Sequence, residues 1–312
     1  MSRRLEAPIA ALAALVAALA VAAGCGGGSD KPGIDKVIPV GQDPTDLVAA
    51  FGSIWVVNGD AVARVDPKTN ALQLKMFVPT AEGADGIAAG GGRIWVPCAI
   101  SASVVGINPT INKVDRNIKV LSRPTAATYG FGSVWVSQGG NDRIQRVDPV
   151  KKKAITPPID VSFGPAGLEA GYGAVWVPNQ FKYTVSRVDP NTDKVVATIP
   201  VGVQPTDVAV GEGAVWVANS NSDSVTRIDP RTNKAVATIP LKGNNPSDVT
   251  TGLGAVWVAQ IDSKSIARID PKTNKETTEI PLQGDSPLDI ATGFGSVWVP
   301  IAEGSFIERV KP

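Results

Sequence analysis

Four aspartates recur at one position of the sequence, nine residues before a tryptophan. They are Asp46, Asp207, Asp248 and Asp289. Carboxylate oxygens are the ligands that Ca²⁺ and Mg²⁺ prefer, and a cluster of carboxylates also attracts a cationic group on a ligand. The same side chains could instead accept backbone N–H groups at a turn. The sequence leaves both interpretations open.

Polar side chains also follow the tryptophans, three residues later. Five of these seven positions carry an amide, which can both donate and accept hydrogen bonds: Asn58, Gln138, Asn179, Asn219 and Gln260. Glu169 adds a carboxyl where the other repeats have Val, Ala or Thr, and Phe181, Lys182 and Tyr183 form the most decorated loop. We interpret all of these residues, with the four aspartates, as candidate ligand contacts.

The composition excludes several classes of function. The 312 residues include no histidine, two cysteines, and 30 Lys and Arg against 29 Asp and Glu. Without histidine, Ser-His-Asp and Cys-His catalysis and imidazole metal sites are impossible. A net charge near zero gives no electrostatic basis for binding nucleic acid. We therefore predict no catalytic residues and no required cofactor, with a divalent cation as an open alternative, and we expect Cys98 to be a buried, unreactive thiol.

The N-terminus has the pattern of an export signal. Two arginines precede an apolar run, residues 9–23, which is short for a membrane span and ends in small residues before Cys25. This pattern resembles a bacterial lipoprotein signal, which implies cleavage after residues 1–24, acylation of Cys25 and an extracytoplasmic, lipid-anchored protein. Residues 25–35 are rich in Gly and predict a flexible tether. Because the exported part is formally neutral, we expect it to contact the membrane through the lipid anchor only.

All seven tryptophans lie in one repeated motif, Val/Ile-Trp-Val, at spacings of 40 or 41 residues. They are Trp55, Trp95, Trp135, Trp176, Trp216, Trp257 and Trp298. Each repeat contains four short apolar runs separated by turn signals, without a helical period, and four strands in about 40 residues are typical of a β-propeller blade. The strict repetition favours a structural role for the indoles, as fillers between blades.

The two ends of the chain predict how the ring closes. The last repeat stops at Pro312, after its third strand, and residues 36–40 match the outer strand that it lacks. The sequence thus predicts an all-β fold over residues 36–312, a seven-bladed β-propeller of four-stranded blades closed by the N-terminal strand in the last blade. The four aspartates then fall in consecutive blades, so we expect one side of the central funnel to be acidic.

A second repeated pattern lies at the other end of each repeat. Asp-Pro or Asn-Pro pairs predict turns in which the Asx side chain accepts backbone N–H groups. Arginines two residues earlier predict structural pairs with carboxylates within or between blades. These arginines are Arg64, Arg146, Arg187, Arg227, Arg268 and Arg309.

Residues 215–240 resemble the YVTN-type propeller repeats of surface-layer proteins and, more loosely, the streptogramin (virginiamycin B) lyases. The resemblance extends over residues 36–312 and is specific for fold. Similarity to the lyases implies metal-assisted elimination that opens a cyclic depsipeptide, with a histidine as general base. No residue of this chain matches that histidine.

Together these features favour a non-catalytic, membrane-tethered binding or scaffold module. Its expected partner is an envelope protein, a peptide or a cell-wall component, and the protein is expected to be a monomer. Two alternatives stay open: a metal-dependent lyase-like enzyme that uses the four aspartates, and a small-ligand sensor.

Overall fold

The computed structural model describes residues 32–59, 61–78 and 86–312. The predicted signal sequence, Cys25 and the first part of the predicted tether lie outside these residues. The described residues form seven antiparallel sheets whose inner strands adjoin one another. This is the predicted seven-bladed β-propeller.

We number the strands β1 to β29 in chain order and group them by position within a blade, from the centre outward. The first, innermost strands are β2 (Pro44–Ala50), β6 (Ala88–Gly90), β10 (Ala127–Gly130), β15 (Glu169–Gly171), β19 (Pro205–Gly211), β23 (Pro246–Gly252) and β27 (Ala291–Gly293). The second strands are β3 (Ser53–Asn58), β7 (Arg93–Cys98), β11 (Ser133–Gln138), β16 (Ala174–Asn179), β20 (Ala214–Asn219), β24 (Ala255–Gln260) and β28 (Ser296–Ile301).

The third strands are β4 (Ala61–Asp66), β8 (Ser103–Asn108), β12 (Arg143–Asp148), β17 (Thr184–Asp189), β21 (Ser224–Asp229), β25 (Ser265–Asp270) and β29 (Phe306–Lys311). The outer strands are β5 (Ala71–Phe77), β9 (Lys113–Lys119), β13 (Lys153–Ala154) with β14 (Ile159–Asp160), β18 (Lys194–Pro200), β22 (Lys234–Pro240), β26 (Lys275–Pro281) and β1 (Gly33–Pro39). Short 3-10 segments occupy Ser220–Ser222 and Ala302–Gly304. Among the described residues, no helix has the length and apolar character needed to cross a bilayer.

The N-terminal strand closes the ring, as predicted. β1 pairs antiparallel with β29, with Gly33 opposite Lys311 and Pro39 opposite Phe306. The strand begins at Gly33, three residues before the start expected from the repeats, so the last residues of the predicted tether belong to the closing strand. The last blade therefore has four strands although the chain ends at its third.

The antiparallel order gives the disc two different faces. Inner turns join first to second strands and outer turns join third to fourth strands, and both lie on one side, which we call the turn face. The connections from second to third strands, and from one blade to the next, lie on the opposite side, which we call the loop face. The inner strands begin at the loop face, which places the four aspartates near that side.

The tryptophans are core residues. All seven are fully buried, and each indole Nε1 donates to the carbonyl of the residue five positions earlier, at 2.9–3.2 Å. The second strands on which they lie are buried on both sides, apart from the first residue of β7, because each blade is covered by its neighbours. The predicted structural role of the indoles is confirmed by this burial.

The outer turns have the predicted Asx geometry. Asp66 Oδ1 accepts the backbone N–H of Lys68 at 2.8 Å, and the Asp or Asn of five other turns does the same for the residue two positions later. The hydrogen bond from Lys68 lowers the pKa of Asp66. These Asx side chains therefore stabilise the outer turns.

The repeated arginines connect blades, mostly without carboxylates. Arg64 lies 4.8 Å above the Trp55 ring, and its Nη1 donates to Pro109 O and Asn112 Oδ1 of the next blade at 2.9 and 2.8 Å. Only Arg146 finds a carboxylate in the next outer turn, since Asp193 stands there. Arg309 Nε also lies 3.6 Å from Asp35 Oδ2 in the closing strand of its own blade. The predicted Arg–carboxylate pairing is thus confirmed for Arg146 and Arg309 and wrong for the other four arginines. The residue that ends the outer turn is usually an Asn in the left-handed conformation, and its amide oxygen faces the guanidinium.

Candidate functional site

The inner strands surround a central funnel near the loop face. Its cavity has a volume of about 390 Å³ and is lined mostly by apolar residues, together with five carboxyl groups. These are Asp46, Glu169, Asp207, Asp248 and Asp289. The structure therefore brings together every acidic residue that the sequence proposed as a ligand contact.

Each funnel aspartate of blades one, six and seven bonds to the next blade. Asp46 Oδ2 accepts the backbone N–H of Ile87 at 2.9 Å, and Asp289 Oδ2 accepts that of Leu47 at 2.6 Å. Asp248 Oδ2 accepts the N–H of Ile290 at 2.8 Å. The carboxyl groups thus satisfy backbone donors, although the donors belong to neighbouring blades rather than to the aspartates' own turns.

The aspartates also bond to one another around the funnel wall. Asp46 shares a hydrogen bond with Asp289, and Asp248 shares hydrogen bonds with Asp207 and Asp289. A hydrogen bond between two carboxyl groups requires a proton on one of them. We call this set of four aspartates the carboxyl ring.

Burial and mutual repulsion favour the protonated forms of Asp46, Asp207 and Asp248. Burial, and then the charge of Asp289, raises the pKa of Asp46 well above its ordinary value. The same causes, with the charge of Asp207 first among the neighbours, raise the pKa of Asp248 well above its ordinary value. Burial also raises the pKa of Asp207, although a hydrogen bond from Asp248 opposes the shift.

Glu169 is a fifth acid of the funnel. Burial and the charge of Asp207 raise its pKa to about 8, and a hydrogen bond from Thr128 Oγ1 to Glu169 Oε2, at 3.3 Å, opposes the shift. Glu169 therefore retains its proton at neutral pH. Its protonated carboxyl can donate a hydrogen bond to a ligand in the funnel.

On the side of the funnel opposite blades six and seven, the residues at the aspartate position are small. Blades two, three and four have Gly86, Ala126 and Gly167 where the other blades have aspartate. A Cβ at Gly167 would collide with Asp207 Oδ1, so the glycine is needed to seat that carboxyl. Ala126 and Gly167 line the cavity beside the carboxyl ring.

The five amides lie outside the funnel. They are buried within the blades, where they tie second strands to third strands. Asn219 Nδ2 donates to Ser224 O at 3.2 Å and to Thr226 Oγ1 at 3.0 Å, and Gln138 Nε2 donates to Gln145 Oε1 at 3.0 Å. Asn179 and Gln260 make similar contacts, whereas Asn58 Nδ2 donates to Val40 O, between β1 and β2, at 2.7 Å. The structure thus separates the amides from the carboxyl ring.

The decorated loop of the fourth blade lies beside the funnel. Phe181, Lys182 and Tyr183 are exposed there, and the ring of Phe181 lies 5.1 Å from that of Phe163. A cavity of about 320 Å³ beside Phe181 shares Ala126 with the funnel. Sequence reasoning missed Phe163, although the Phe-Gly-Pro triplet that it begins is unique among the repeats.

Cys98 is fully buried in β7, away from the funnel. Within the described residues, no three Asp, Glu or Cys side chains stand close enough to hold a metal ion together. Oxygens of Asp46, Asp248 and Asp289 point at backbone donors of the neighbouring blades.

The fold and the site define a β-propeller with an acidic central funnel. Residues 71–312 match the virginiamycin B lyase family, and the chain belongs to that family. No curated protein matches the sequence.

Solved structures share the fold at low sequence identity. Virginiamycin B lyase from Staphylococcus aureus is 15% identical, with a TM-score of 0.78 over 89% of this chain and 98% of the lyase. A catalytically inactive histidine-to-alanine variant of that lyase, bound to quinupristin, is 15% identical, with a TM-score of 0.77 over 89% and 98% of the two chains. The Cps50 (Swd1) propeller domain of Myceliophteria thermophila is 10% identical, with a TM-score of 0.77 over 90% and 100%.

Proposed function

We propose that this protein is a membrane-tethered, extracytoplasmic β-propeller that binds a protein, peptide or cell-envelope ligand without turning it over. The carboxyl ring carries the proposal. Burial and neighbouring charges make ionisation of Asp46, Asp207 and Asp248 unfavourable, and a cationic group that enters the funnel would stabilise their ionised forms and replace their protons. A ligand that presents an ammonium or guanidinium group therefore fits this site.

Two observations support binding without catalysis. Replacement of one histidine is associated with a catalytically inactive form of the S. aureus lyase, and this chain has no histidine. Backbone N–H groups of adjacent blades also hold three aspartates of the carboxyl ring in place. Fixed carboxyl groups can line a binding site, but they are poorly placed to move during a reaction. The signal pattern before Cys25 supports the tether and the extracytoplasmic location.

The test is cross-linking capture from intact envelopes, with the full-length lipidated protein as bait. The site variant replaces Asp46, Asp207, Asp248 and Asp289 by Asn, which keeps an oxygen for each backbone donor. Asp229→Asn, in an outer turn of the opposite face, is the matched control. We expect a discrete partner that the control retains and the site variant loses; equal capture by all three proteins would contradict the proposal.

Family membership and Glu169 favour lyase chemistry as a second candidate. A carboxyl group with a pKa of about 8 can exchange a proton near neutral pH. Incubation with quinupristin, followed by mass spectrometry, separates the two candidates. The binding proposal predicts an intact ring, whereas an opened ring that is lost in Glu169→Gln would establish the lyase.

A further inference from the structure

The inner turns carry an exposed ring of large apolar side chains around the centre of the turn face. Five of the seven turns begin with Phe, Tyr or Leu, at positions 41–46% exposed: Phe51, Phe131, Tyr172, Leu253 and Phe294. The hydroxyl of Tyr172 accepts the backbone N–H of Gly213 in the adjacent turn at 3.1 Å. In the second blade, where the turn has only glycine, Tyr129 covers Gly91. We call these five residues the apolar crown.

Neither the geometry of the inner turns nor packing in the core explains why large apolar residues occupy the crown positions. The crown residues have φ between 47° and 57°, in the left-handed region, and each precedes a glycine that also has positive φ. Two-residue turns of this type favour Asn-Gly, and a bulky side chain in the left-handed region is strained. Because the crown residues are 41–46% exposed, burial within the propeller accounts for only part of their apolar surface. Such a set is typical of a surface that contacts something else.

A basic rim surrounds the crown on the same face. The outer turns and the adjoining strand ends carry exposed Lys or Arg: Lys68, Lys113, Lys151, Lys152, Lys153, Lys194, Arg231, Lys234, Lys272, Lys275 and Lys311. The aspartates of these turns accept N–H groups of their own backbone, and Asp193 pairs with Arg146. Glu212, half-buried, is the one acid among the inner-turn positions. Asp148 and Asp229 also pair with Lys151 and Arg231 of the rim. The eleven rim cations still outnumber the seven acids of the inner and outer turns, which are Asp66, Asp148, Asp189, Asp193, Asp229, Asp270 and Glu212. These turns therefore carry a net positive charge around an apolar centre.

The chain enters the propeller at this face. Gly33 lies opposite Lys311, at the turn-face end of β29. Seven residues separate it from Cys25, a length that spans at most about 28 Å when fully extended. An acyl chain on Cys25 would therefore hold the turn face, rather than the loop face, close to the bilayer.

We propose that the turn face is a membrane-docking surface. The apolar crown enters the headgroup region of an anionic bilayer, the basic rim contacts the lipid phosphates, and the loop face with its funnel points away from the membrane. Exposed aromatic side chains within a basic surface are typical of interfacial membrane binding. The inference rests on the lipid tether of the proposed function. The sequence predicts membrane contact through the lipid anchor only, because the exported part has no net charge. The structure places positive charges together on one face, so a neutral total charge does not exclude electrostatic binding to lipid.

The test is energy transfer from tryptophan to a dansyl lipid, with the full-length lipidated protein in phosphatidylcholine–phosphatidylglycerol vesicles. The indoles bond to carbonyls at the turn-face end of the inner strands, as Trp298 does to Gly293, so transfer reports the approach of this face. The crown variant replaces Phe51, Phe131, Leu253 and Phe294 by Asn, which suits these turns and preserves folding. The control replaces the loop-face residues Phe163 and Phe181 by Asn, and thermal melting verifies that both variants fold.

We expect transfer to fall about threefold or more in the crown variant and to be unchanged in the control, since only the crown enters the headgroups. Raising salt from about 0.1 M to about 0.5 M should also lower transfer in the wild type, because the basic rim is screened. Equal transfer in wild type and crown variant, with both sedimenting with vesicles, would overturn docking and leave the tether intact. Failure of the wild type to sediment would overturn the tether and docking together.

Discussion

At the scale of single residues, the funnel keeps carboxyl groups protonated. Glu169 has no cation beside it among the described residues, and burial together with the charge of Asp207 raises its pKa to about 8. A group whose pKa is raised on folding stabilises the fold below its ordinary pKa, and that stability is lost as the pH rises through the raised value. Glu169 thus makes the protein less stable in mild alkali.

Glu169→Gln should remove this pH dependence. At pH 5 the variant and wild type should unfold with similar free energy, because glutamine mimics the protonated acid. At pH 9 the variant should be more stable by up to about 5 kcal/mol, because the rise of the Glu169 pKa from 4.5 to about 8 is worth about 1.4 kcal/mol per unit. Urea unfolding across this pH range measures the difference, and a constant difference at all pH values would contradict the assignment.

The sequence predicted the carboxyl ring but misplaced the amides. The aspartates share one repeat position on inner strands, and a closed ring of equal repeats must bring such positions together. The amides end the second strands, which neighbouring blades cover on both sides, so their side chains are enclosed within the blades. A repeat position fixes the blade and strand of a residue, whereas its exposure depends on how the blades pack.

At the scale of elements, the repeated arginines join one blade to the next. Arg227 lies 5.2 Å above the Trp216 ring and donates to Asn274 of the next blade at 2.8 Å. Arg268 has no such partner, because the last blade has no outer turn of the same kind. Its Nη1 donates instead to Thr277 of its own blade at 3.2 Å.

This difference provides a matched pair of variants. Arg227→Gln should lower the free energy of unfolding by about 2 kcal/mol, since it removes a stacked cation and a hydrogen bond between blades. Arg268→Gln should cost about half as much or less, because only stacking and a local bond are lost. Urea denaturation of the two variants gives the comparison, and equal costs would show that the connection between blades adds nothing.

The blades themselves were predictable, and one irregularity had a visible signal. Four strands per repeat follow from the apolar runs and turn residues. The interrupted outer strand of the third blade follows from Pro157 and Pro158, which separate β13 from β14. The arginine partners were not predictable, since the choice between Asp and Asn depends on which residue ends the neighbouring turn.

At the scale of the whole molecule, the ring depends on pairing between the two ends of the chain. Ile38 of β1 is 3% exposed and packs in the cluster that contains Trp298. Ile239 holds the equivalent position in β22 and is 2% exposed. Ile38 belongs to the closing strand, whereas Ile239 belongs to an outer strand that follows the other strands of its own blade in the chain.

Both Ile38→Ala and Ile239→Ala should therefore lower the free energy of unfolding by about 3 kcal/mol, the cost of an isoleucine-to-alanine change in a packed core. Chemical denaturation of the full chain measures both. If Ile38→Ala were neutral while Ile239→Ala was not, β1 would not close the ring in solution.

The whole molecule also separates charge in a way that composition cannot show. Lysines gather at the turn face and the buried acids at the funnel, although Lys and Arg nearly balance Asp and Glu in the chain. The repeats place each residue on a face, so this separation was implicit in the sequence once the blade order was known. The shared protons of the carboxyl ring, by contrast, required the distances between blades.

The most direct test of the account is the affinity of the funnel for a cationic peptide as a function of pH. We would titrate the full-length protein with tri-lysine from pH 6 to pH 8.5 by calorimetry, beside the variant with asparagine at the four ring positions. If the peptide displaces protons from the carboxyl ring, its Kd should fall with rising pH, by up to about tenfold per pH unit for each proton released. The asparagine variant should bind weakly at every pH, whereas equal affinity of the two proteins, or no saturable binding by the wild type, would contradict a cation-binding funnel.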